Sequence, residues 1–285
     1  MNPKNLNYIC EEGRWIAHDG NRVYAAYLMN GAALKPYISV LPAPSGRNLL
    51  ADAPHDHIHH HGVWWGHGDV NGVTFYLELP SHRPGRILHR EYANLDLKKD
   101  AVGFAQILDW NAPTGETLLQ ETRQIALLFN RNDGYTLNLE SAYEAQTDIA
   151  FGTTKESAMP IIRMGDAFNG KAGGAILNSE GGRGEKETFG QPARWVDYSA
   201  PVPERYGRHK REGLACLDHP SNPHHPNRWF TREYGPLSPR EGHLFTGAET
   251  LPKGDVLRLK HRVVVHKGGP EEADIEAAWQ AYADE

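Results

Sequence analysis

Apolar and polar positions alternate over short runs along most of the chain, and Gly, Pro, Asn and Asp punctuate the runs. A period of two belongs to extended backbone, whose side chains point alternately to the two faces of a sheet. The spacing predicts strands over Asn21 to Met29, Pro36 to Leu41, Val63 to His67, Val73 to Leu77 and Gly103 to Trp110. Further strands are predicted over Leu118 to Asn130, Tyr135 to Tyr143, Ala175 to Asn178, Leu214 to Leu217 and Val256 to His266. The stretch Leu128-Phe129-Asn130-Arg131-Asn132-Asp133-Gly134-Tyr135 places an Asp-Gly turn between two strand candidates and predicts a β-hairpin.

A helical period appears only at the end, where Ile275, Ala278, Trp279 and Tyr282 gather on one face of a segment opened by Gly269 and Pro270. Glu271, Glu272 and Asp274 complement the positive end of that helix, and its Trp279 face is expected to pack on a sheet. Gly and Pro concentrate over Pro42 to Pro54, Gly165 to Pro203 and Pro220 to Gly242, which read as long, functional loops. No repeat, linker or shift in composition marks a boundary. The expected architecture is all-β: a large antiparallel β-sandwich with a C-terminal helix, in one domain over residues 1–285.

Composition narrows the function classes. With 39% hydrophobic residues among 285, the chain can bury one large core or two modest ones. The formal net charge is −6 and Lys and Arg are scattered, so the basic stripe of a nucleic-acid binder is missing. No apolar run approaches the roughly 20 residues a membrane helix requires, so no membrane partner is expected. Met1 to Arg14 lacks the apolar core of a secretory signal, which points to the cytoplasm. Cys10 and Cys216 stand alone, so any metal site would fall to His and carboxylates.

Chemistry concentrates in three segments. The first is the run from His55 to His67, which holds His55, His57, His59, His60, His61 and His67 beside Trp64 and Trp65. Imidazole titrates near neutrality and is the commonest metal ligand. Read as extended backbone, the run puts His57, His59 and His61 on one face, with Ile58 and His60 on the other. A His-x-His metal pair needs a further His or carboxylate, and Trp64, Trp65 and Gly66 stand where a cupin-type barrel would have its Glu. The tryptophans, if exposed, are platforms for sugar rings; if buried, they are core. Asp69 and Asn71 follow in a turn.

The second segment, Thr154-Lys155-Glu156 with Arg163, offers a carboxylate base and two cations for ligand oxygens. The third runs from Asp218 to Gly235. There Asp218 could orient His219, and Asn222, His225, Trp229 and Arg232 add hydrogen-bonding groups and a platform.

Taken with Trp195-Val196-Asp197-Tyr198 and Arg262 to Gly268, these segments resemble the bacterial family labelled methane oxygenase PmoA, over most of the chain. A membrane oxygenase is excluded by the absence of a spanning segment. The soluble family is similar to galactose mutarotase-like β-supersandwiches, which implies a sugar site on the concave face of a large sheet. Where the family pattern reads His-His-Arg-Gly, this chain has His61 in place of the Arg.

The leading reading is a carbohydrate-active enzyme or sugar-binding protein using His and carboxylate acid–base chemistry of the epimerase, lyase or hydrolase type. His60, His219 and Glu156 are its catalytic candidates. His57, His59, Trp64, Asn71, Lys155, Arg163, Asp218, Asn222, His225 and Arg232 are its binding candidates. A small sugar is the expected partner, no cofactor and no metal ligand are assigned, and self-association is open only as a homodimer. One alternative is a divalent-metal oxygenase or lyase using His57, His59 and Asp218 or Glu156; another is a non-catalytic sugar-binding module. All versions expect the three segments to meet at one pocket.

Overall fold

The computed structural model describes residues 6–11, 13–29, 33–94, 101–129, 134–206, 210–239 and 247–285. In chain order the described strands begin with β1 (Asn7–Glu11), β2 (Arg14–His18), β3 (Val23–Leu28), β4 (Tyr37–Val40), β5 (Val63–His67) and β6 (Arg86–Asn94). They continue with β7 (Ala101–Asn111), β8 (Thr117–Phe129), β9 (Tyr135–Ala145), β10 (Ile149–Phe151), β11 (Ser157–Arg163) and β12 (Ala175–Asn178). The last are β13 (Trp195–Pro201), β14 (Arg211–Asp218), β15 (Phe230–Thr231), β16 (Pro236–Ser238), β17 (Glu249–Leu251) and β18 (Val256–Lys267). A short helix α1 (Gly184–Thr188) and a terminal helix α2 (Ile275–Ala283) complete the framework.

Two eight-stranded antiparallel sheets form the body. Sheet I runs β1-β2-β3-β4-β5-β11-β16-β15 and sheet II runs β12-β13-β14-β18-β9-β8-β7-β6, while β10 pairs with β17 apart from both. The protein is therefore the expected all-β antiparallel sandwich with a C-terminal helix. Alternation explains the layers. Trp15, Val63, Trp65 and Ile162 of sheet I meet Phe104, Ile125, Leu137, Val196, Cys216 and Val263 of sheet II in the shared core. The intervening positions face outward. On sheet I they give a small cluster of Tyr37, Trp64, Tyr76 and Ile161. On sheet II, Leu177, Trp195, Ala215, Leu217 and Val264 are covered by Ile275 and Tyr282 of α2.

The expected hairpin strands pair over their full length, from Leu119 opposite Ala145 to Phe129 opposite Tyr135; residues 130–133 of the turn lie outside the described residues. The helix begins at Ile275, not at Pro270, because Asp274 adopts a left-handed conformation (φ 52°) and caps it by accepting from the Ala277 amide. Two local expectations are corrected, and one strand is added. Val73 to Leu77 is not a strand: the Thr74 hydroxyl accepts from the amides of Tyr76 and Leu77, diverting them from a ladder. Ser157 to Arg163 is a central strand despite Pro160, because the ladder slips between Ala158 and Ile161 where a proline would otherwise remove a bond. The Gly- and Pro-rich stretch from Gly165 to Pro203 contains α1 and β13 as well as β12.

The histidine run is not extended. The amide of His57 bonds Pro54 O at 2.9 Å and that of His60 bonds His57 O at 3.0 Å, so two successive turns carry the chain from Pro54 to His60. Period-two spacing therefore does not apply there. Gly62 then turns the chain into β5 at φ 44°.

Candidate functional site

The turns gather His57, His59 and His60 on the outer face of sheet I, above Trp64 and beside Arg163 at the end of β11. His57 stacks on His60 with ring centres 4.6 Å apart, and His59 meets His60 edge-on at 4.7 Å. Tyr234 closes the other side of His57, centres 5.0 Å apart and planes 10° from parallel. The Arg163 guanidinium sits 4.8 Å over the same Tyr234 ring. Its Nη2 donates to both oxygens of Asp56 at 3.1 Å. Burial opposes ionisation of Asp56, but hydrogen bonding from Arg163 outweighs it and holds the carboxyl down to about 2.

The hydrogen bonds assign a proton state to each imidazole. Arg163 Nη1 lies 3.4 Å from His60 Nδ1, and a guanidinium only donates, so Nδ1 accepts. His60 Nε2 then carries the hydrogen and donates to the Tyr76 hydroxyl at 3.1 Å. Burial, with His59, His57 and Arg163 adding repulsion, pushes the pKa of His60 down to about 2, so it is neutral. His61 is the reverse. Its Nδ1 faces Asp52 at 2.7 Å and its Nε2 faces Glu78 at 3.1 Å; ionised carboxylates only accept, so both nitrogens donate and the ring is an imidazolium. Burial works against that charge, but the bonds to Asp52 and Glu78 prevail and raise the pKa. Lys35, fully buried, donates to Glu78 at 2.8 Å and to Tyr76 O at 2.7 Å. At the position where the resembled pattern has Arg, His61 thus supplies a cation by another route.

His59 is the uncommitted member. It is half-buried, and among the described residues it makes ring contacts to His57, His60 and Tyr76 but no hydrogen bond. Burial, then the nearby Lys35 charge, lowers its pKa to about 4. It therefore presents a neutral ring with a free lone pair and a free N–H.

The other candidate residues lie elsewhere. Trp64 and Trp65 are both buried, so neither is a platform; Trp64 lies beneath His60, and Trp65 lies in the core under Arg123, 3.9 Å from its guanidinium. Glu156 accepts from the Thr154 hydroxyl at 3.0 Å, at the opposite end of β11 from Arg163, seven residues and roughly 20 Å away at about 3.3 Å per residue. Lys155 is exposed beside it. Asn71 ties two turns together, donating to Asp148 O at 2.9 Å and accepting from the Ala150 amide at 2.7 Å.

Asp218, His219, Asn222 and His225 sit on the far side of the sandwich, under α2. Trp279 Nε1 donates to Asp218 O at 2.9 Å, His225 stacks on Trp279, and His219 meets Tyr282. The Asp218 carboxylate does not orient His219; it faces His225 Nδ1 at 2.8 Å and accepts from Asn222 at 2.7 Å, while His219 Nδ1 faces Ser221. Arg232 is held by Glu185 at 2.6 Å over the Phe189 and Phe230 rings. The three segments therefore converge only in part: Arg163 of the second and Tyr234 of the third reach the histidine turns, whereas Lys155, Glu156 and Asp218 to Arg232 do not. The metal set of His57 and His59 with Asp218 or Glu156 is not assembled, and both nitrogens of His60 and of His61 are occupied by protein groups. Asp56 and Tyr234 lie within the first and third segments but take no role in the sequence reading, and Lys35, Asp52, Tyr76 and Glu78 enter the site unannounced by any local motif.

The chain is similar in structure to several solved proteins. One is a galactose mutarotase related enzyme from Lactobacillus acidophilus (9% identity, 92% of this chain and 97% of that one, TM-score 0.37). Another is galactose 1-epimerase from the same organism (8% identity, 93% and 99%, TM-score 0.43). A third is an alpha-galactosidase from Lactobacillus brevis (10% identity, 93% and 40%, TM-score 0.37). No curated protein matches in sequence. Residues 15–280 match a family of unknown function, DUF6807, and the chain belongs to that family.

Proposed function

We propose that the protein is an enzyme acting on a sugar or sugar derivative at the His57–His59–His60–Tyr234 face, with His59 as the proton-transfer group. The observation that carries this is the contrast within one turn: His60 and His61 are fixed in opposite proton states by partners on both nitrogens, while His59 is left neutral and open. Environments that push neighbouring titratable groups apart are the mark of acid–base assignment. A sugar is also what the family resemblance implies. The neutral His59 ring, beside the stacked His57 and Tyr234, offers a donor and an acceptor to sugar hydroxyls.

The reaction class follows from the carboxylates. Asp56 is held by Arg163, and Asp52 and Glu78 are held by His61 and Lys35, so the paired free carboxylates of glycoside hydrolysis are not provided. Proton transfer at a free sugar, as in ring opening, epimerisation or elimination, needs only the imidazole and a positive surrounding for a developing oxyanion, which Arg163 and His61 supply.

The test is turnover of a panel of free aldoses, keto-sugars and uronic acids followed by proton NMR. Wild-type protein is expected to convert at least one, and His59→Asn to lose on the order of 100-fold or more of that rate while keeping its near-ultraviolet circular dichroism. Equal turnover by His59→Asn, or conversion of no member of the panel, sinks the reading; saturable binding without conversion replaces it with a sugar-binding module.

A further inference from the structure

A neutral imidazole such as His59 can take a proton from a sugar, but giving one up would leave it an anion. Where a C–O bond breaks, a second group must therefore protonate the departing oxygen. The histidine turns hold such a group in His57. Its ring lies between His60, with centres 4.6 Å apart and planes 20° from parallel, and Tyr234, at 5.0 Å and 10°, so both of its faces are fixed. One edge is buried, where Nδ1 faces Asp56 Oδ2 at 3.1 Å. The other edge is open: the side chain is 33% exposed, and Nε2 has no hydrogen-bond partner among the described residues. Asp56 settles where the hydrogens sit. Its carboxyl is held ionised by Arg163 Nη2, and an ionised carboxylate only accepts, so His57 Nδ1 is a donor. Nε2 then holds the lone pair of the neutral ring or the second hydrogen of the charged one. For the charged ring Asp56 is a ready counter-ion, the part an orienting carboxylate plays beside the histidine of a hydrolytic triad.

We propose that His57 is the catalytic acid working opposite His59, with Asp56 and Tyr234 as its positioning residues, and that the substrates are sugars in which a C–O bond breaks. This assignment rests on the sugar-enzyme reading of the same face. His59 takes a proton from the sugar, either from an anomeric hydroxyl or from the carbon beside a carbonyl. The electron pair left behind forms C=O or C=C, the C–O bond breaks with its pair on the departing oxygen, and that oxygen takes the hydrogen from His57 Nε2. In ring opening the reverse step restores both imidazoles; in elimination, proton exchange with water does. The spacing suits one sugar. The two ring centres are 5.8 Å apart with planes at 67°, and each nitrogen needs an oxygen or carbon at roughly 2.6–3.2 Å. Around His57 stand Asp56, His59 and His60 of its own turns, Arg163 of β11, and Tyr234 of the loop between β15 and β16. Asp56 is the one anion among them. The rate must fall in acid as His59 gains a proton, and in alkali as His57 loses one.

The experiment follows kcat/KM against pH for a sugar that the full chain converts, with nitrogen-15 histidine NMR of the same proteins. Wild type is expected to show both limbs. His57→Gln is expected to lose on the order of 100-fold in rate, and the alkaline limb with it, while keeping its near-ultraviolet circular dichroism. Asp56→Asn is expected to move that limb to lower pH, because the counter-charge is gone and Arg163 remains. The titration of the His57 ring, read by NMR without substrate, is expected to move the same way. An unchanged alkaline limb in His57→Gln, or a His57 titration unmoved by Asp56→Asn, overturns the proposal and leaves His59 as the sole proton-transfer group. Conversion of no sugar, or equal turnover by His59→Asn, removes the sugar-enzyme reading and this assignment with it.

Discussion

His61 shows how a single side chain acquires its role from partners far away in sequence. Its folded pKa is raised, because the bonds to Asp52 and Glu78 outweigh burial. A raised pKa means the folded state binds the proton more tightly, so this stabilisation is fully present below the unfolded value of about 6.5 and is lost as pH rises through the folded value. Glu78 has the opposite sign: held down to about 2 against burial by His61 and Lys35, it stabilises above its unfolded value and loses that contribution only in strong acid. His61→Gln is therefore expected to lower the melting temperature most near pH 6, with the gap to wild type narrowing toward pH 9. Calorimetry across that range checks it, and a gap that widens with pH refutes it. Composition alone located the histidine turn, since no other stretch of the chain is so dense in imidazole. It did not separate the roles within it. His60 and His61 are neighbours in sequence with opposite charge, and the groups that divide them, Arg163, Tyr76, Asp52 and Glu78, arrive from other elements.

At the scale of elements, the turn that presents the site hangs on Gly62. A Cβ there would fall 1.9 Å from the backbone oxygen of Ile38, in the adjacent strand, and the residue's φ is positive. Neither a side-chain rotation nor a relaxed backbone removes that clash. Gly62→Ala is expected to cost about 3 kcal/mol by denaturant unfolding and to weaken substrate turnover further, because His60 and His61 precede it directly. Unchanged stability would mean β4 and β5 can separate at that point. The strands were readable wherever one face is buried and the other solvated, as in β8 and β9. Reading failed where a residue's local chemistry competes with the ladder: Thr74 ends a strand before it starts, and the Pro54 to His60 turns look extended only if their backbone bonds are unknown.

For the molecule as a whole, a polar knot spans the otherwise apolar core. Glu121 accepts from Trp110, Ser141 and twice from Arg123, and Arg123 also donates to Tyr27 at 2.8 Å. All of it is fully buried save the near-buried Ser141. Glu121→Ala strands the Arg123 charge and is expected to cost about 3–5 kcal/mol, whereas Glu121→Met combined with Arg123→Met is expected to be nearly neutral. Denaturant midpoints for the two variants decide it; equal losses would show that the knot acts by shape and not by charge. The separation of Glu156 and Asp218 from the histidine turns belongs to this scale too. The strand order puts β5 and β11 in one sheet and β14 in the other, so Asp218 and His60 end on opposite faces, and no spacing along the chain encodes that.

The ends of the sheets have a consequence for how chains meet in concentrated solution. β15 and β12, at one end of each sheet, are two and four residues long. At the other end of sheet II, β6 exposes Arg86, Arg90 and Glu91 and slips register twice, after His89 and after Tyr92. Short, charged and bulged borders are poor templates for a foreign strand. Growth of sheet II into a ribbon of many chains is disfavoured at both of its borders, which leaves the five-residue β1 of sheet I as the border where a second chain could add.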